Sequence, residues 1–231
     1  MRFSALILVV AASAILHAEE KKALLIVPKL SQAAPKIDGK LDDAAWKDAA
    51  VSEPFRRAFG ADSETPCHFK IMQDENTLYI GIECVETETV IKNLRAVVDT
   101  HDGDPIWEDD EIELFIDPTG SRKFPYYQII INTKGTTFDV VMKAMKSPDK
   151  SWEPKFESKV FVDKDRWSAE LALPFAIFDR TEKSNETWVF NALHVRSVGE
   201  MLYWSPVGGA ESHSPWAFGV LKGMPVRELK K

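Results

Sequence analysis

Over Glu111-Ile112-Glu113-Leu114-Phe115-Ile116-Asp117 apolar and acidic residues alternate, and this period of two constrains the chain more than any other feature, because it is the spacing of a strand. Ile112, Leu114 and Ile116 fall on one face, the core side, and Glu111, Glu113 and Asp117 on the other. Trp107 stands just upstream in Ile106-Trp107-Glu108-Asp109-Asp110. The pattern predicts an indole and carboxylates presented together on an exposed sheet surface. That combination suits a pyranose, whose apolar C–H face stacks on an indole and whose hydroxyls donate to carboxylates in charge-assisted hydrogen bonds.

The same reading finds many further short strands. Leu24–Leu30 is strand-like, and Lys70–Tyr79 reads as two strands around a turn at Asp74-Glu75-Asn76. Tyr126–Asn132, Thr136–Met142, Ser158–Val162, Trp167–Leu173, Trp188–Arg196 and Gly219–Leu221 follow, separated by turn residues. A helical turn capped by Asp42 places Trp46 inward. No repeat and no long amphipathic helix interrupts the series. The fold class is all-β: an antiparallel β-sandwich with short helical turns.

Met1-Arg2, then the apolar run Phe3–Leu16 and Leu16-His17-Ala18, have the order of a secretory signal peptide. The run is shorter than the roughly 20 residues that span a bilayer, and no cysteine follows it, so export to a secreted or periplasmic location without a membrane anchor is expected. The expected organisation is a signal over 1–18, a lead-in over 19–34, one sandwich over 35–223 and a tail over 224–231. A chain of 231 residues with a formal charge of -7 excludes nucleic acid and anionic membrane as natural partners.

Cys67 and Cys84 are the two cysteines. Pairing the strands across Asp74-Glu75-Asn76 sets them opposite one another, within disulfide range. In an exported protein a bridge is the expectation, the alternative being two buried thiols.

Several segments, in order, carry a resemblance. They are Pro35-Lys36-Ile37-Asp38-Gly39-Lys40-Leu41-Asp42 with Trp46, Asp74–Ile80, Trp107–Asp110 with Glu113–Asp117, Trp167 with Glu170–Phe175, Phe190-Asn191 and Ser214–Gly219. The chain resembles carbohydrate-binding module family 9 within the DOMON-like group of secreted β-sandwiches, of immunoglobulin or jelly-roll type. The resemblance implies an oligo- or polysaccharide partner held in a clamp. Trp107 matches the first clamp tryptophan and Glu113 the rim carboxylate. The second clamp residue should precede Pro215, where Ala210–Ser214 holds no tryptophan, and His213 or Trp216 takes its place. The family's rim arginine and amide fall within Gln128–Asn132 and on Leu193, so Arg196, His194 and Tyr127 are the candidates for rebuilding the rim.

Catalysis is not expected. Glycosidases need two carboxylates about 5–9.5 Å apart on opposite sides of a bond, whereas Glu111 and Glu113 share a face. No cofactor is required. The resemblance allows a structural Ca2+, for which Asp99, Asp102 and Asp104 supply an oxygen-rich loop. Two alternatives stand beside sugar binding. One is a DOMON-like haem or redox domain drawing on Met72, Met142, Met145 or Met201 with the histidines. The other is a protein-interaction module with Trp107, Trp152, Trp204 and Trp216 as an apolar patch.

Overall fold

The computed structural model describes residues 22–178, 184–209 and 211–227. The expected signal segment over 1–18 lies outside them. Among the described residues no helix is long and apolar enough to cross a membrane.

Among the described residues thirteen strands build two sheets. The first contains β1 (Leu24–Ile26), β5 (Glu111–Asp117), β6 (Tyr126–Asn132), β7 (Thr137–Ala144), β8 (Ser147–Asp149), β11 (Thr187–Arg196), β12 (Glu200–Tyr203) and β13 (Gly219–Lys222). Its order is β1-β13-β11-β5-β6-β7-β8, with β12 also paired to β11. The second contains β2 (Ala50–Val51), β3 (Cys67–Gln73), β4 (Thr77–Val85), β9 (Glu157–Val162) and β10 (Arg166–Pro174), in the order β2-β3-β4-β10-β9. Pairing is antiparallel throughout except between β1 and β13. The sandwich expected from the sequence is therefore the observed fold. A short helix, α1 (Glu88–Lys92), is capped by the Thr87 hydroxyl.

Alternation explains the layers. Ile112, Leu114 and Ile116 of β5 meet Phe69 and Ile71 of β3, Ile80 and Ile82 of β4, and Leu171 of β10 in one core between the sheets. The remaining residues of these strands point outward, yet most of them are buried too. A second apolar cluster, with Phe115, Tyr126, Ile130, Phe138, Leu193 and Tyr203, covers the outer face of the first sheet. Glu111, Glu113 and Asp117 consequently lie buried, not on the open surface that the alternation predicts. The reason is tertiary: the segments carrying Val98, Ile106, Val207 and Phe218 fold back over that face.

On the outer face of the second sheet, one carboxylate organises the Ile37-Asp38-Gly39 turn. Glu170 accepts hydrogen bonds from the Asp38 and Gly39 amides, each 2.8 Å, and from Trp46 Nε1 at 2.7 Å. Gly39 has φ +91°, and a Cβ there would sit 2.6 Å from the Val160 carbonyl carbon, so both the turn and the close approach require glycine. Trp46 is core, as expected. Its helical turn is preceded by Asp43, not Asp42, and the Asp43 carboxylate accepts from the Lys36 amide at 2.8 Å instead of capping.

The β3–β4 register pairs Cys67 with Cys84, as the hairpin reading requires. Both are buried free thiols in this structure, not the expected disulfide. Register brings two thiols face to face; joining them is an oxidation that register does not decide.

Candidate functional site

Trp107 sits in a one-turn 3-10 segment, Ile106–Glu108, directly before β5. Its neighbours fix it. Ile106 is fully buried in the outer cluster. The Asp109 carboxylate accepts from the Val97 and Val98 amides at 2.8 and 3.1 Å and from Asn132 Nδ2 at 3.0 Å. Asp110 accepts from the Arg95 amide at 2.6 Å and from the Ser197 amide and hydroxyl at 2.9 and 2.8 Å. Much of the acid cluster thus clamps loops to the sheet. Held on both sides, the indole turns outward and is 46% exposed, edge-on to Phe138 with ring centroids 6.3 Å apart.

Strand register defines the floor beneath it. Tyr203, Leu193, Glu113, Ile130 and Phe138 form one cross-strand row. With strands about 4.8 Å apart, the Glu113 backbone lies roughly 10 Å from that of Phe138, the ring that supports Trp107. Gln128 Nε2 donates to Glu113 at 2.7 Å. Burial nevertheless pushes the Glu113 carboxyl up to about 7. Glu111 is held well above the usual carboxylate range, first by burial and then by Glu113. Its two oxygens have no hydrogen-bond partner.

On the same face the Tyr126 hydroxyl and His213 Nδ1 are hydrogen-bonded at 2.6 Å, and the imidazole stands edge-on to Phe115. Burial lowers the His213 pKa, which favours the neutral ring that accepts this hydrogen bond. A groove of 710 Å³ beside the Trp107 turn is bounded by Glu108, Val195, Met201, Tyr203, Arg57 and Phe59.

The structure therefore brings Trp107, Glu113 and His213 to one face and separates the other candidates from them. Trp216 is 53% exposed but borders a different cleft of 450 Å³, with Pro54 and Trp204. Tyr127 points between the sheets, its ring against Trp152 and its hydroxyl donating to the Phe178 carbonyl at 2.9 Å. One residue along a strand reverses the face, so Tyr126, not Tyr127, is the tyrosine of the site. Arg196 is no rim donor: its Nε and Nη2 bind Glu86 at 2.7 and 2.6 Å, and Nη1 binds Glu200. His194 is also buried, against Trp167. The four-tryptophan patch does not exist as a surface, because Trp152 and Trp204 are buried.

Nor do Asp99, Asp102 and Asp104 converge on a cation. Asp104 pairs with Lys150 at 3.1 Å, Asp99 is exposed, and Asp102 Oδ1 accepts from the Asp139 amide at 3.0 Å. Two donor groups close enough to hold a metal ion occur among the described residues: His101, Asp102 and Asp139, and Cys67, Cys84 and His194. In the first, His101 Nε2 lies 3.7 Å from Asp139 and 3.5 Å from Glu153, and burial pushes Asp139 up to about 7.

Sequence reasoning missed Tyr126, Gln128, Phe138 and Tyr203. The first three follow from counting in twos along β6 and β7 once the register to Glu113 is known.

A family model described as carbohydrate family 9 binding domain-like matches residues 37–222. The chain belongs to this family. Solved structures agree in fold. A protein of Bacteroides uniformis ATCC 8492, to which carbohydrate binding is provisionally ascribed, superposes with TM-score 0.69 at 18% identity, over 87% of this chain and 99% of that one. A family 9 carbohydrate-binding module of Caldicellulosiruptor kristjanssonii, in complex with glucose, gives TM-score 0.60 at 18% identity, over 86% of this chain and 94% of that one. The module from the same organism in complex with cellotriose gives 0.59 at 19%, over 86% and 92%. A search of curated proteins gives no match. In this carbohydrate family 9 binding domain-like chain, the face carrying Trp107 is thus built on a fold shared with modules solved in complex with sugars.

Proposed function

We propose that the chain is an exported, non-catalytic carbohydrate-binding protein that stacks a pyranose on Trp107. The observation that carries this reading is the indole itself: a large apolar ring, 46% exposed, rigidly backed by Phe138 and anchored on both sides. Glu113 and Gln128 supply a hydrogen-bonded polar pair on the floor. His213, bonded to Tyr126, supplies the second ring. Family membership and the glucose and cellotriose complexes of similar folds point to oligo- or polysaccharides of linked pyranoses as ligands. The carboxylates favour binding over hydrolysis, because Glu111 and Glu113 rise from one face of one strand and cannot flank a glycosidic bond. Export rests on the leader-like sequence of residues 1–18.

The test is calorimetric titration with cello-oligosaccharides, alongside polysaccharide pull-down across a broader panel. Trp107→Ala should weaken any bound glycan by about two- to tenfold, since aromatic stacking contributes about 0.5–1.5 kcal/mol beyond area burial. The fold should survive, the ring being half exposed. Undiminished affinity in that variant would sink the stacking role.

A further inference from the structure

We propose that Cys67, Cys84 and His194 form a buried site for a thiophilic divalent ion of the zinc class, which ties the two sheets together. Cys67 and Cys84 face each other across β3 and β4 of the second sheet, and His194 reaches them from β11 of the first. One ligand atom from each lies within 4.8 Å of the others. Zn–S bonds of about 2.3 Å and Zn–N bonds of about 2.0 Å in a tetrahedral arrangement place ligand atoms within that limit.

An independent observation points to a ligand. His194 is 1% exposed, and neither ring nitrogen has a hydrogen-bond partner. A neutral imidazole keeps one ring-nitrogen lone pair available to a metal. A buried polar group without a partner is costly, and a bound ion is one of its few physical explanations. Glu86 Oε1 stands 4.0 Å from Nε2. The charges also balance. On binding, each thiol releases its proton to water, and two thiolates with one neutral imidazole around a divalent ion carry no net charge, as a dry core demands.

All three side chains are essentially inaccessible, so the ion enters as the sheets close. The test is therefore refolding of the reduced protein from denaturant with Co2+. Thiolate-bound cobalt is expected to give intense near-ultraviolet charge-transfer absorption that saturates at one equivalent and is bleached by Zn2+. Cys67→Ser and Cys84→Ser should each remove the band, and Trp107→Ala should keep it. Because core substitutions can unfold a protein, a second measurement uses the unaltered chain: refolding with one equivalent of Zn2+ should raise the melting temperature above that of the metal-free refolded protein. Absence of the band in refolded protein with native circular dichroism overturns the proposal. So does an exported protein that frees no titratable thiol on denaturation, since a Cys67–Cys84 disulfide removes both thiolates.

Discussion

Glu170 shows how much one side chain can hold. Its carboxylate bonds the Asp38 and Gly39 amides and the Trp46 indole, the last two of these bonds being buried. Glu170→Ala strands two buried donors, each costing on the order of 1–3 kcal/mol, so urea unfolding should report a loss of at least about 2 kcal/mol. Glu113 has the opposite character, a carboxyl pushed up to about 7 by burial from an ordinary 4.5. A group that holds its proton more tightly folded than unfolded stabilises fully below the unfolded pKa, and this contribution is lost as pH rises through the folded one. Between about pH 4.5 and 7 the native protein should therefore lose stability relative to Glu113→Gln, which cannot ionise. A stability gap between the two that ignores pH would refute the shift. Trp107 and Glu113 were legible as candidates because tryptophan before an alternating acidic strand is a local pattern. Tyr126 was not, because Tyr126 and Tyr127 start the strand side by side on opposite faces and every residue of it is buried, so neither polarity nor exposure tells the two faces apart at that end.

Among the elements, β11 joins most of the molecule. It pairs with β5 along one edge and with β13 and β12 along the other. Its last residue, Arg196, binds Glu86 beyond β4 and Glu200 at the start of β12. Breaking a buried pair by removing one partner costs about 3–5 kcal/mol, whereas replacing both with apolar groups is close to neutral. Arg196→Met should accordingly lower stability by several kcal/mol in chemical unfolding, and adding Glu86→Leu should recover much of it. Failure of the second substitution to help would assign the loss to packing instead of an orphaned charge. Most long strands were readable within a residue or two, since alternation and turn residues bound them; β3 and β4 extend further from their turn than the Lys70–Tyr79 run. β2, β8 and β12 were not, being two, three and four residues long at sheet margins, too short to display a period. α1 was hidden in polar connecting sequence for the same reason.

For the whole molecule, the central fact is one core shared by both sheets, containing Trp167 from the second sheet and Trp188 from the first. Neither sheet can bury its inner face alone, so the sheets should unfold together. Tryptophan fluorescence and far-ultraviolet circular dichroism are expected to trace coincident urea transitions; separated midpoints would mean independently stable layers. The sequence by itself determined the all-β class, the inner face of β5 and the opposition of Cys67 and Cys84, because strand period and hairpin register are local properties of the chain. Tertiary structure alone decided what the outward faces meet. The buried state of Glu111 and Glu113, the inward turn of Tyr127 and Arg196, and the meeting of His194 with two cysteines all depend on which segment covers which sheet. Those contacts join residues far apart in the chain, and no local period encodes them.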